Sequence, residues 1–207
     1  MTMQLYLIRH GMTQGNTEGR YVGRTDEPLC AAGERKLRAQ LRYMPDIGSG
    51  FLYVSGMKRC RESGRILFPQ ARQKVIPDFH ECDFGEFEYR NYQELSGNPA
   101  YQRFIDSGGQ TGFPGGETPA HFRQRIVQAF DGFVRTLGVP GPRQAAIVCH
   151  GGCIMAVLDR YAQPHRDYFD WQTACGTGFA AQLDTAQWAA GCCRLTQIRR
   201  IGGQEDL

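Results

Sequence analysis

Lysine is nearly missing from this 207-residue chain: Lys36, Lys58 and Lys74 are the only three among 24 basic residues, and the rest are arginines. Arginine suits phosphate and carboxylate recognition, but one site cannot use so many, so most belong to the surface. Net charge is only +3, which gives no reason to expect nucleic acid or a membrane surface as partner. No apolar stretch approaches the roughly 20 residues of a membrane span. The apolar run ahead of Arg9 is too short for a signal peptide, and a cytoplasmic location is expected. There is no Cys-x-x-Cys pair, although the chain holds eight cysteines. Without a secretory segment, and with length enough for a full core, these are expected as reduced thiols, with no metal site. Repeats, low-complexity tracts and linkers are also missing, so residues 1–207 are expected to form one domain.

What is present is a series of short apolar runs that end abruptly. Leu5 to Ile8 reads as a buried strand that stops at Arg9-His10-Gly11. A Gly- and Asn-dotted loop follows to Pro28, and loops of that length are usually functional. Ala31 to Met44 has helical spacing at Leu37, Leu41 and Met44, and Pro45 to Gly50 breaks it. Phe51 to Ser55 is a second strand, followed by a turn with Lys58 and Arg59 and a short helix over Cys60 to Phe68. Lys74 to Pro77 suits an edge strand, because Pro77 cannot donate to a ladder. Residues 80–92 are acidic and aromatic. Asn91 to Ser107 reads as an interrupted helix, and Gly108 to Gly116 as a loop. Thr118 to Leu137 is the clearest helix, with Phe122, Ile126, Phe130 and Phe133 three or four apart. Ala145 to Cys149 is a third strand, ending at His150-Gly151-Gly152 and followed by a helix through Tyr161. Phe179 to Leu183 and Arg194 to Ile198 suggest a closing antiparallel hairpin, which puts vicinal Cys192-Cys193 on opposite faces of a strand. These elements predict an α/β fold: a three-layer sandwich, mostly parallel sheet, helices on both faces, and a small cap over roughly 80–116.

Three strands thus deliver polar groups at their C-terminal ends, where open α/β sheets bind ligands. If the strands are neighbours, Arg9, His10, Arg59 and His150 converge on one cationic spot suited to a phosphoryl group. Phosphoryl transfer needs positioning and charge stabilisation more than covalent machinery. Carboxylates with a bound divalent ion commonly supply that charge. No carboxylate cluster lies near these strand ends, so Arg and His take that part and no cofactor is expected.

Taken in order, these motifs resemble the histidine phosphatase (phosphoglycerate mutase-like) superfamily over nearly the whole chain. Leu7-Ile8-Arg9-His10-Gly11 is similar to its signature turn. Asn16, Arg20 to Gly23, Asp26, Pro28-Leu29 and Gly33 resemble its phosphate-pocket loop, and Ser55 with Arg59 its Ser-Pro-Leu-x-Arg. Glu81 to Glu88 resembles its acid-bearing segment, Gly115-Gly116-Glu117-Thr118 its Gly-Gly-Glu-Ser/Thr element, and Val148 to Gly152 its second histidine motif. The resemblance implies a metal-independent phosphatase. His10 is the nucleophile, Arg9, Arg59 and His150 hold the phosphoryl oxygens, and Glu81 is the acid and base. Asn16, Arg20, Gly23 and Gly151 contact phosphate or substrate. The implied substrate is a small phosphorylated metabolite, α-ribazole phosphate or a sugar phosphate among the options.

Alternatives stay open at this level. Mutase-type phosphoryl transfer and a non-catalytic phosphate-binding protein are the rival functions. The segment over 82–116 is shorter than the insertion of the mutases, and no catalytic group is missing. Asp83, Glu86 and Glu88 compete with Glu81, which is favoured by its place ahead of Phe84-Gly85. Arg20 has an equal reading as a surface loop residue. His80, His121 and His165 read as structural or surface groups, and Arg123 and Arg125 as the polar face of a helix. Phe79, Phe84, Phe87, Tyr89 and Tyr92 either core the cap or line a pocket. Gly56-Met57 in place of Pro-Leu, Met12, Phe87 in place of Trp, and Tyr89 depart from the family pattern and bear on substrate choice. The sequence leaves oligomeric state open, a homodimer included.

Overall fold

Two central apolar strands with both faces buried set the architecture. The computed structural model describes residues 2–48 and 50–203. Met1, Ser49 and 204–207, which the expected domain and the expected break over Pro45 to Gly50 take in, lie outside the described residues. β1 (Thr2–Arg9), β2 (Phe51–Val54), β3 (Arg72–Val75), β4 (Gln144–Cys149), β5 (Gly178–Asp184) and β6 (Thr196–Ile201) form one sheet in the order β3-β2-β4-β1-β5-β6. The pairings β2–β3, β2–β4 and β1–β4 are parallel, while β5 runs antiparallel to β1 and to β6. Alternation along each central strand divides the core. Leu5, Leu7, Ala145, Ile147 and Cys149 face one layer, where α5 (Pro119–Thr136) and α6 (Gly151–Tyr161) pack. Tyr6, Ile8, Ala146 and Val148 face the other, against Leu37 of α2 (Ala31–Gln40) and Cys60 and Leu67 of α3 (Lys58–Leu67). The molecule is a single α/β domain with helices on both faces. Among the described residues no helix is long and apolar enough to cross a membrane.

The register brings the strand ends level. Ile8 pairs with Val148, Arg9 with Cys149, and Val54 with Val148. Backbone bonds carry the alignment one residue further: His10 N–H donates to Cys149 O at 3.0 Å and Ser55 N–H to Val148 O at 3.0 Å. Arg9-His10, Ser55 and His150 therefore leave the same edge of three adjacent strands.

Several sequence boundaries move. The helix after β2 starts at Lys58, so Arg59 sits in its first turn rather than in the turn before it. Met57 offers no side-chain cap there, and Asp26 accepts the Lys58 N–H at 2.6 Å instead. The long loop holds a short helix, α1 (Gln14–Thr17). The helix expected over Asn91 to Ser107 is only α4 (Pro99–Asp106), because Pro99 opens it and Asn98 caps it. The edge strand β3 ends before Pro77. β5 and β6 pair antiparallel, but α7 (Thr185–Ala189) intervenes, so they are not a tight hairpin. Cys192 and Cys193 lie ahead of β6, outside any strand. All eight cysteines are free thiols.

Phe130 of α5 is fully buried, with Trp188 edge-on at 5.6 Å, Tyr161 at 5.7 Å and Phe79 at 6.4 Å between ring centroids. Phe130→Ala is expected to lower the unfolding free energy by about 3–5 kcal/mol in a urea titration with unchanged slope. A loss below about 1 kcal/mol would show that this aromatic cluster is not the anchor of its layer.

Candidate active site

β1, a central strand, ends in Arg9. Its Nη1 donates to Thr173 O at 2.8 Å, while Nε is buried without a hydrogen-bond partner among the described residues. A buried orphaned donor is costly unless something accepts from it. His10 follows, 4% exposed. Its Nδ1–H donates to Gly11 O at 2.7 Å, which leaves the lone pair of the neutral ring on Nε2. Burial, then the charges of Arg59 and Arg9, hold the His10 pKa well below 6.5.

His150 caps the end of β4, and its ring centroid lies 5.2 Å from that of His10. Arg59 Nε–H donates to His150 Nδ1 at 3.3 Å, so Nε2 carries the proton and donates to Ser55 Oγ at 2.8 Å. Burial first, then Arg59, keep this imidazole neutral as well. Both ring nitrogens are engaged, so a direct bond from His150 to a ligand oxygen requires one of them to be released. Arg59 is fully buried. Its Nη1 donates to Thr25 O at 2.7 Å and its Nη2 to Gly23 O at 2.8 Å, leaving two of the five guanidinium N–H groups. Ser63, one turn along α3, donates to Arg59 O at 2.6 Å and accepts the Gly11 N–H at 2.8 Å. One hydroxyl thus ties the peptide after His10 to the helix that carries Arg59.

Glu81 comes from the loop after β3. Its Oε1 accepts Cys82 N–H at 3.0 Å and its Oε2 accepts Gly152 N–H at 3.1 Å, at the start of α6. A Cβ on Gly152 would lie 2.4 Å from Glu81 Oε1, so only glycine admits this approach. Arg125, read from sequence as a polar helix face, is in fact the buckle of this loop. It holds Glu117 with two bonds, at 2.8 and 2.7 Å, and donates to the carbonyls of Asp78, His80 and Glu81 at 2.7, 3.2 and 3.3 Å. Glu117 also accepts Asp83 N–H at 3.0 Å. These roles escaped the sequence because the partners are loop carbonyls more than 40 positions away.

The structure separates the competing acids. Asp83 pairs with Arg24 at 3.0 Å, Glu86 is exposed, and Glu88 Oε1 accepts Gly23 and Thr25 N–H at 2.9 and 2.8 Å. Of the four, Glu81 alone lines the large cavity. Arg20 is tied to Glu18, to Glu94 at 2.7 Å and to Tyr89 O at 2.6 Å, and does not line that cavity. Asn16 completes a capping box with Thr13 at the start of α1. Gly23 is buried against Cys82 and supplies a carbonyl to Arg59. Gly151 lines the cavity, and a Cβ there would meet the Arg9 guanidinium at 3.5 Å. His80 contacts Glu81 O at 3.1 Å, while His121 and His165 are exposed beside Glu117 and Asp159. Phe79 and Phe87 are core, Phe84 lines the cavity, and Tyr89 and Tyr92 are exposed.

The cavity measures about 1410 Å³. Its chemical end is Arg9, Glu81, Gly151 and Gly152; His10, Arg59 and His150 are set behind that wall and do not line it. Among the described residues no three His, Cys, Asp or Glu side chains are grouped to hold a metal ion. The arrangement offers a neutral imidazole nucleophile, two guanidinium groups and one carboxylate beside a helix N-terminus.

Comparison with known proteins identifies a family. The sequence model of the histidine phosphatase superfamily (branch 1) matches residues 5–190. A relative from Enterobacter sp. (strain 638), named "Probable phosphoglycerate mutase GpmB", is 29% identical over 163 residues, covering 75% of this chain and 74% of its own. The solved α-ribazole phosphatase from Shigella flexneri superposes with a TM-score of 0.78 over 99% of this chain and 100% of its own, at 24% identity. That likeness is one of fold. TTHB049 from Thermus thermophilus gives a TM-score of 0.68 over 98% of this chain and 100% of its own, at 26% identity.

The two neutral histidines fix a pH dependence. On unfolding, both regain an ordinary pKa near 6.5. Below that pH the unfolded chain binds protons that the folded one refuses, so stability falls as pH drops through about 6.5. The slope approaches about 1.4 kcal/mol per pH unit for each histidine. Urea titrations from pH 7.5 to 5 read it. His10→Gln is expected to remove one histidine's share, and a flat profile over that range would contradict the buried neutral pair.

Proposed function

The chain belongs to the histidine phosphatase superfamily, and on that premise we propose that it hydrolyses a small phosphorylated metabolite through a phosphohistidine on His10, without a metal ion. The observation that carries this reading is the His10 ring: neutral, with Nδ1–H fixed on Gly11 O and the lone pair therefore at Nε2. Nε2 attacks phosphorus in line with the ester oxygen, so the N–P bond forms as the P–O bond breaks. Glu81 gives its proton to the departing alkoxide. It then takes a proton from water as that water attacks phosphorus, and the N–P bond breaks to release phosphate and free imidazole. Arg9, with its orphaned Nε, and the two remaining N–H groups of Arg59 stabilise the equatorial oxygens. His150 acts on the phosphoryl group by holding Arg59 Nε, and Asn16 and Gly23 by shaping the loop beside it.

α-Ribazole phosphate and sugar phosphates are the substrate candidates that the family likeness brings. A second reading, mutase-type transfer, is favoured by one observation: relatives at 28–30% identity carry the mutase name. A non-catalytic phosphate-binding role is disfavoured because Arg9, His10, Arg59, Glu81 and His150 are all present and gathered around one set of strand ends.

With p-nitrophenyl phosphate in EDTA, the protein is expected to release phosphate, and His10→Ala to abolish release. Glu81→Gln is expected to lose about 10²–10⁴ in rate. Gly152→Ala, which displaces the Glu81 carboxylate, should fall in the same range while binding inorganic phosphate normally. Release that survives His10→Ala would sink the reading. Turnover of phosphoglycerate only with a bisphosphoglycerate primer would establish the mutase instead.

A further inference from the structure

The cavity is far larger than a phosphoryl group needs. At about 1410 Å³ it exceeds the roughly 300–1,000 Å³ of most small-ligand pockets. Beyond its chemical end the wall is aromatic and apolar, formed by Phe84, Phe104, Phe113, Phe122, Met155 and Tyr168. Its charge is also lopsided. The whole chain nearly balances, with 24 basic and 21 acidic residues, yet among the described residues the cavity lining holds Arg9, Lys36, Arg123 and Arg200 and one acid, Glu81. Arg9 belongs to the phosphoryl end. The other three come from α2, α5 and β6, separate elements that the fold brings to one opening.

Arg123 is the best seated of the three. Its guanidinium carbon lies 4.0 Å from the centroid of the Tyr168 ring, and Arg123 has no ion-pair partner among the described residues. Stacking engages the face of a guanidinium and leaves its N–H edge for an oxyanion. Tyr168 in turn donates its hydroxyl to Gly152 O at 3.4 Å, and Gly152 N–H holds Glu81. Arg123 is thereby referenced to the catalytic acid through one aromatic ring. Arg200 spends Nη1 on Gln172 O at 2.9 Å and stacks on Phe179, so it is the less available cation.

We propose that the alcohol half of the substrate is an aryl-sized apolar body bearing a second oxyanion, which Arg123 binds on its Tyr168 platform. The proposal rests on the phosphomonoesterase reading and narrows it. The aromatic wall takes the body of the leaving group by burial of apolar area. A neutral alcohol fills the same wall but leaves Arg123 unanswered.

The test compares 6-carboxy-2-naphthyl phosphate, its neutral 6-carboxamide and p-nitrophenyl phosphate, using wild type and Arg123→Gln. Wild type is expected to favour the carboxylate over the carboxamide by about five- to tenfold in kcat/KM, through KM and less so at high salt. In Arg123→Gln the preference is expected to fall below about twofold. Both esters are measured on one preparation, so partial unfolding cancels from the ratio. Turnover of p-nitrophenyl phosphate with equal rates for the two naphthyl esters would overturn this proposal alone. So would a carboxylate preference that survives in Arg123→Gln. If all three esters are inert, the phosphomonoesterase reading itself falls, and this proposal with it.

Discussion

Arg59 is a full cation with no exposed surface, and the arrangement of the site follows from satisfying it. A buried charge is tolerated only when oriented dipoles or counter-ions surround it. Here the partners are two carbonyls from the long loop, Gly23 and Thr25, and the imidazole that ends β4. One side chain therefore binds together α3, the loop after β1 and the second histidine. Around it, Asp26 caps α3 in place of a local cap, Glu62 accepts Leu29 N–H at 2.8 Å, and Ser63 reaches Gly11. The loop is long but stitched to one helix at several points.

Burial, and after it the same guanidinium, sets the protonation of the site. Arg59 is the strongest charge acting on both imidazoles, and with burial it keeps them neutral. A neutral imidazole has a lone pair to give, whereas a protonated one does not. The acid is handled by different means. Glu81 is placed by its backbone, through the Arg125–Glu117 pair and the carbonyls that Arg125 collects, and by Gly152, which leaves room for its carboxylate. Glu81 lines the cavity, while the imidazoles and Arg59 are buried outside its lining.

Much of this was legible in the sequence. Apolar runs of strand length marked β1, β2 and β4, and the sudden change at Arg9-His10-Gly11 and His150-Gly151-Gly152 marked the ends of β1 and β4. Glu81 could be ranked above Asp83, Glu86 and Glu88 by motif; that Arg24 pairs with Asp83 and that the 23 and 25 amides bond Glu88 could only be read from the fold. Arg125 was misread because helical periodicity reports which side is polar, not what waits there. Arg20 kept two readings because its partners, Glu18 and Glu94, sit on separate parts of the chain. The start of β6 and the extent of α4 were misjudged where alternation was weak, although Asn98-Pro99 already carried the start signal for that helix.

In the proposed reaction His10 carries the phosphoryl group between the two half-reactions. The most direct measurement is to mix the protein with a phosphomonoester, quench in alkali within the first turnovers, and map phosphorylation by peptide mass spectrometry. One phosphoryl group is expected on His10, stable in base and lost in acid. Turnover with His10 unmodified, or with the phosphoryl group on another residue, would contradict it.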